Sequence, residues 1–385
     1  MCVGSAVTMM AATWSVPFLL PDEATRLAID LGTYLDLTQR FTLSLDAMGG
    51  DRAPAVVVAG IRLALQRYPE VRYLLYGDEA QLRPLLEAVP AVAAVCTLRH
   101  TTEKVGNGDK PSHVLRQGRR TSMWLAIQAA KEGEASGVVS AGNTGALMAM
   151  AKVMLRTLPG ISRPAIATVL PSQRGEVVML DLGANSDCDA QNLSEFAIMG
   201  DAFARTVLGI ANPSIGLLNI GAEDMKGNDA VRTASALLKA SPLPLRFHGF
   251  VEGDDIGAGT VDVVVTDGFT GNVALKTAEG TVQLYASFLH AAFGGSLLAR
   301  LGYLLARPAL TRVRKRIDPR RYNGAMFLGL NGICVKSHGS TDEVGFANAI
   351  GVAADLVIHG FNERIKHEFH QLQMSGVMSA IATGS

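Results

Sequence analysis

The chain has 385 residues, 48% hydrophobic and 18% charged, with 35 basic against 35 acidic side chains. That balance excludes a disordered tail protein and a globally basic nucleic-acid binder, and the length suits two or three domains or one large α/β domain with insertions. The 40 glycines are about a tenth of the chain against ~7% on average and cluster beside apolar runs without a repeat, which excludes collagen-like and linker composition.

The first 21 residues carry no charge, but a secretory signal needs a basic start and the first basic residue is Arg26. Pro17 and several hydroxyl residues interrupt the stretch as a membrane span. Residues 1–40 read as an extension outside the main fold, 41–366 as one α/β domain and 367–385 as a tail. From Phe41 onward, short β-branched runs alternate with amphipathic stretches, the pattern of βα units building a three-layer, mostly parallel sheet flanked by helices. The spacing predicts strands over 42–46, 72–76, 137–140, 165–170, 177–181, 215–219, 246–251, 261–266 and 333–336. Helices are predicted over 53–67, 112–131, 144–156, 190–208, 228–239, 271–290 and 342–365. Cys2, Cys96, Cys188 and Cys334 lie far apart with no CxxC pair, which argues against a zinc ribbon or disulfide framework and for a reducing compartment.

One segment departs from the alternation. Residues 280–317 contain no carboxylate, and 296–317 combine Leu297, Leu298, Leu301, Leu304 and Leu305 with Arg300, Arg307, Arg312, Arg314, Lys315 and Arg316. Such a protrusion, about 294–318, suits a core or dimer helix pair, an anionic lipid surface or an acidic protein. Pro308 is expected to divide it into two helices.

Four junctions place polar groups after apolar strands. Gly142, Asn143, Thr144 and Gly145 follow the strand at 137–140 and open a helix, an arrangement that offers free amides to an anion or else caps the helix with Asn143. Asp181 and Asn185 follow the strand at 177–181, where such residues also make turns. Lys226, Gly227 and Asn228 sit at the third junction, with an ammonium suited to a phosphate oxygen. Asp267, Gly268, Gly271, Asn272 and Lys276 form the fourth. Four such loops in a parallel sheet imply one shared crevice.

The spaced motifs LDAMGGD (45–51), SAGNTGALM (140–148), LDLGAN (180–185), NIGAEDMKGN (219–228), HGFVEGDDI (248–256), DGFTGNVALKT (267–277) and KSHGS (336–340) resemble, in order, the phosphate acyltransferase family of bacterial phospholipid synthesis. The resemblance implies an isocitrate/isopropylmalate dehydrogenase-like fold, similar also to phosphotransacetylases. It implies reversible transfer of a fatty acyl group from acyl carrier protein to inorganic phosphate, giving acyl phosphate. It further implies a cytoplasmic homodimer at the inner face of the membrane, feeding a membrane glycerol-3-phosphate acyltransferase. The family's motif residues correspond to Lys226 and Asn272, the first catalytic candidates, with His338 in a glycine-flanked turn as a proton carrier or a structural residue.

Phosphate is itself the nucleophile in such a reaction, so catalysis reduces to positioning and charge stabilisation, with Asn272 or Asn185 donating to the thioester oxyanion. An acyl-enzyme on Cys188 is the rival route, disfavoured because Asp187 and Asp189 flank the thiol. Glu252, Asp254 and Asp255 are read as a solvated loop, and neither a metal nor an organic cofactor is expected. A nicotinamide-dependent dehydrogenase is the competing enzyme, but no GxGxxG follows a strand. A lipid- or carrier-binding module without turnover would leave the lysine and asparagine at the strand ends unexplained.

Overall fold

The computed structural model describes residues 40–374; the remainder of the expected extension and tail lies outside the described residues. Among these, eleven strands form one sheet: β1 (Thr42–Asp46), β2 (Arg72–Gly77), β3 (Cys96–His100), β4 (Gly137–Ser140), β5 (Ala165–Pro171), β6 (Glu176–Leu180), β7 (Ser214–Leu218), β8 (Arg246–Val251), β9 (Val263–Val265), β10 (Ala325–Leu328) and β11 (Ile333–Lys336). Their order is β3-β2-β1-β4-β11-β10-β5-β6-β9-β7-β8. Neighbours run parallel except at β11/β10, β10/β5 and β5/β6. Three reversals are an odd number, so β6, β9, β7 and β8 point opposite to β1, β4 and β11.

The helices are α1 (Ala55–Ala64), α2 (Glu79–Glu87), α3 (Pro90–Ala93), α4 (Pro111–Gln117), α5 (Ser122–Lys131), α6 (Thr144–Leu155), α7 (Ala190–Phe203), α8 (Asp229–Ala240), α9 (Gly253–Ala258), α10 (Gly268–Gly294), α11 (Leu297–Arg316), α12 (Glu343–Ile358) and α13 (Phe361–Met374). They cover both faces of the sheet, which is why β4 and β9 are buried at every position. On one face Leu43 and Leu45 of β1 share a continuous apolar layer with Val57 and Ile61 of α1 and Phe346 of α12, and the layer runs on to Phe196 of α7 over the far half of the sheet. On the other, Val138 of β4 lies in one apolar layer with Ile127 of α5 and Leu147 and Met150 of α6, and the same layer extends to Val264 of β9. Gly60 lets α1 lie against α12, since a Cβ there would come within 2.9 Å of the Phe346 ring.

Several expected boundaries differ for local reasons. The helix expected at 112–131 is two, because Gly118 ends α4 and the Thr121 hydroxyl caps α5 by accepting from Trp124 N–H. The helix expected at 342–365 is broken at Gly360, whose φ of 60° is a left-handed conformation. Beyond it α13 continues through the boundary expected at 366, burying Phe361, Ile365 and Phe369 in the core. Pro308 does not divide the protrusion: α11 is continuous through it. The neighbouring residues are exposed, so water can serve the carbonyl of Leu304 that a proline N cannot.

The hairpin of α10 and α11 leaves the body. Only Gly268 and Gly271 of α10 are buried, and no described residue of α11 is. Phe293 packs on Tyr303 with ring centroids 5.4 Å apart, and the Ser296 hydroxyl caps α11 by accepting from Ala299 N–H at 3.1 Å. At its base, Arg316 donates to the carbonyls of Ser172 and Gln173.

Candidate active site

The carboxyl ends of β1, β4 and β11 lock together. Asp46, buried at the end of β1, accepts from the hydroxyls of Ser122 at 2.6 Å and Ser140 at 2.7 Å and from Met48 N–H at 3.3 Å. Burial pushes its carboxyl pKa up, and the two hydroxyls oppose that push. Gly49 fills the gap above it: a Cβ there would sit 2.4 Å from Asp46 Oδ2 and 2.7 Å from Gly142 N. Asp51 N–H donates to Gly339 O at 2.8 Å, and Ser337 N–H to Ser140 O at 2.9 Å.

Asn143 caps α6, its Oδ1 accepting from Ala146 N–H at 3.0 Å while its Nδ2 holds the carbonyls of Asn107 and Asp109. Gly142 is buried beneath, and Thr144 and Gly145 lie exposed at the head of the helix. His338 projects from the same cluster. Its Nδ1 stands 2.9 Å from Ser340 Oγ and 3.3 Å from Ser340 N, which leaves Nε2 without a hydrogen-bond partner among the described residues. Burial, then the ammoniums of Lys336 and Lys276, hold the imidazole pKa below its ordinary value.

A different construction stands at the end of β6. Asp181 is buried and accepts from the amides of Ile166 (2.9 Å), Gly183 (3.2 Å), Ala184 (3.0 Å) and Asn185 (2.8 Å), and from Asn185 Nδ2 (2.9 Å). Asn185 Nδ2 also donates to Pro164 O at 2.8 Å, so both of its N–H bonds are spent inside the scaffold. The head of α10 rests on this loop. Gly268 N–H donates to Asn185 O, Asp267 caps the helix by accepting from Thr270 N–H, and a Cβ on Gly271 would come within 1.9 Å of Asp181 O.

Asn272, the exposed fifth residue of α10, lies beside Gly183, 3.8 Å from where a Cβ would stand. Its side-chain amide has no hydrogen-bond partner among the described residues. One turn on, Lys276 pairs with Glu279 at 2.6 Å, and both are felt electrostatically by His338. Lys226 is exposed in the loop after β7, which Asn219 shapes by donating to the carbonyls of Gly221 and Lys226. Gly227 has φ 89° there, with no room for a Cβ beside Asn219, and Asn228 caps α8 by accepting from Val231 N–H.

The four expected loops therefore do not share one sheet edge. Those bearing Asp181, Lys226 and Asn272 stand at the ends of β6, β7 and β9, whereas that bearing Asn143 stands at the opposite edge with His338. Helix α10 starts at the β9 end with Asn272 beside Gly183, and the Lys276 ammonium one turn on acts through space on His338 of the other group. Asp46, Asp51 and Lys336 belong to this cluster and are not among the expected site residues, although LDAMGGD and KSHGS lie at strand ends as the four polar loops do.

Burial first, then the charges of Asp181 and Asp267, push the Cys188 thiol up to about 12. The flanking residue Asp189, expected to act on it, instead caps α7 at 2.8 Å from Asn192 N. Glu252 and Asp255 form a reciprocal cap on α9, Glu252 N–H donating to Asp255 Oδ2 at 2.8 Å.

On the hairpin, Leu297, Arg300, Leu301, Leu304, Arg312 and Arg314 are exposed, Leu297 at 83%. Arg316 is an anchor to the body, and the side chain of Lys315 is outside the described residues. Among the described residues no single helix is long and apolar enough to cross a membrane.

Residues 41–364 match the family described as fatty acid synthesis protein. A phosphate acyltransferase of Paramagnetospirillum magneticum is 63% identical over 345 residues, covering 89% of this chain and 98% of that protein. One from Rhodospirillum rubrum is 63% identical over 338 residues, covering 88% and 97%. Among solved structures, a phosphotransacetylase from Streptococcus pyogenes aligns with TM-score 0.56 at 18% identity, covering 83% of this chain and 94% of that one, a likeness of fold. With its α/β architecture matched over that length and its sequence over nearly the whole of these relatives, the chain belongs to the fatty acid synthesis protein family of phosphate acyltransferases and is an acyltransferase.

Proposed function

We propose that the protein transfers a fatty acyl group from the thioester of acyl carrier protein to inorganic phosphate, reversibly forming acyl phosphate for phospholipid synthesis. The observation that carries this reading is the start of α10, which presents an unengaged Asn272 amide beside Gly183 and Lys276 within electrostatic reach of His338. A phosphate oxygen attacks the thioester carbon, the carbonyl pair moves onto oxygen, and the oxyanion collapses as the C–S bond breaks and the thiolate departs. Asn272 Nδ2–H donates to that oxyanion in a geometry set by the helix, so no enzyme nucleophile is required.

Lys276, the Nε2–H of His338 and the amides at the head of α6 hold the phosphate, and the exposed Lys226 supplies a second ammonium. Incubating the protein with long-chain acyl carrier protein and phosphate, with hydroxylamine as trap, yields phosphate-dependent hydroxamate. Lys226→Ala and Asn272→Ala each lower turnover by ~10²-fold without loss of the folded circular dichroism spectrum. Hydroxamate formation that ignores phosphate would sink the reading, and normal rates in a variant would remove that residue from the site.

In this proposal the enzyme works in the cytoplasm as a homodimer at the inner face of the membrane, where a membrane glycerol-3-phosphate acyltransferase consumes its product. The exposed leucines and arginines of α11 support a contact with anionic lipid, with acyl carrier protein and the second subunit as the other users of the hairpin. Sedimentation with vesicles containing phosphatidylglycerol is lost on joint Leu301→Glu and Leu304→Glu substitution; unchanged sedimentation moves the contact elsewhere.

A further inference from the structure

We propose that Lys336 is a positioning residue of the phosphate site, pinning the loop before α6 and the turn that carries His338 so that both face one anion. The assignment rests on the function proposed above. Every other member of β11 is apolar, and Lys336 is the buried last residue of that strand, 9% exposed. Its ammonium donates to the carbonyl of Ala141 at 3.4 Å and to that of Ser337. Ala141 immediately precedes the residues that head α6, and Ser337 immediately precedes His338. One cation thus ties the two segments that supply the proposed phosphate donors.

The third segment of the cluster is drawn in as well. A Cβ on Gly50 would lie 3.0 Å from Ala141 Cβ and 3.1 Å from Gly339 O, so the 46–51 loop packs directly over the pinned pair. The carboxylates of Asp46 and Asp51 favour the charged ammonium. Neither forms an ion pair with it among the described residues. Asp46 is engaged by hydroxyls, and Asp51 Oδ1 accepts from Asn107 Nδ2 at 2.9 Å.

Burying an ammonium is unfavourable unless it is closely paired, and two carbonyl dipoles compensate it only in part. Accordingly its pKa falls to about 8, so the charged form still dominates at neutral pH. An apolar side chain would suit this strand at lower cost if fold stability were the requirement. Holding two carbonyls at fixed positions from the end of a strand is a task an apolar side chain does not perform.

Steady-state kinetics on Lys336→Met distinguish the roles. The expected result is an apparent KM for inorganic phosphate raised ~10-fold or more, with the KM for acyl carrier protein thioester within about twofold of the unmodified enzyme and partial recovery in Lys336→Arg. An active Lys336→Met enzyme with an unchanged phosphate KM overturns the assignment. If Lys336→Met does not fold, the His338 imidazole resonance is titrated with inorganic phosphate in the unmodified protein and in Lys336→Arg. A half-saturation raised in the variant supports positioning, and identical titrations overturn it. Failure of the unmodified enzyme to use phosphate at all would reject the functional reading itself, whereas normal phosphate use with a flat Lys336 response rejects only this inference.

Discussion

Asp46 and Asp181 occupy matching places on the two halves of the sheet, one ending β1 and one following β6, and both are buried carboxyls whose pKa burial raises. Their surroundings differ in kind. Asp46 is met mainly by the hydroxyls of Ser122 and Ser140, which can donate or accept, and a lysine stands nearby. Asp181 is met by four main-chain amides and one side-chain amide, which can only donate. The first half can exchange roles among its groups, while the second is a rigid mould for the 182–185 loop against which α10 is seated.

The rigid half should yield most sharply. Gly271→Ala places a methyl within 1.9 Å of a main-chain oxygen, where no side chain can give way. A loss of ~3 kcal/mol or more in urea denaturation is expected, since α10 must lift from the loop. A near-neutral midpoint would show that the helix head is not tightly seated.

Next comes the paired exchange of carboxylate for amide. Asp181→Asn turns an NH₂ group toward N–H donors and should cost ~2–4 kcal/mol, whereas the hydroxyls around Asp46 can reverse and Asp46→Asn should cost only about 1 kcal/mol. Equal losses in thermal unfolding would erase the distinction between the halves.

The smallest effect belongs to Cys188. With its thiol near 12 the thiolate is scarce at neutral pH, so Cys188→Ser should keep phosphate-dependent turnover within about twofold and iodoacetamide should label the native thiol slowly. Loss of turnover without loss of fold would restore the acyl-enzyme route.

Most of the sheet is legible in the sequence because buried parallel strands are continuous apolar runs. The stretches at 42–46, 137–140 and 333–336 have the boundaries expected of them. The strand β3 escapes because it is an edge carrying Thr97, Arg99 and His100, which reads as loop. The four residues of β10 escape because glycines bracket a run too short to stand out.

That second omission matters most for the site. Without β10 between β11 and β5, the reversal of strand direction is hidden, and every polar loop is assigned to one edge. The residue types at strand ends were readable, whereas their division between two edges depends on pairing, which no local pattern encodes. Lys336 is hidden in the sequence for a related reason: a lysine closing a strand reads as solvated until the fold buries it.

Helix α10 is 27 residues long, about 40 Å at the usual rise per residue. One end is keyed into the Asp181 loop and the other stands free of the body, with Asn272 and Lys276 close to the keyed end. Such a rod acts as a lever whose fulcrum adjoins the chemistry. A tilt that carries its far tip several ångströms displaces these two residues by only a fraction of that distance. A partner gripping the hairpin would therefore move amide and ammonium together, in small increments, relative to Gly183 and His338, without any loop having to fold or unfold.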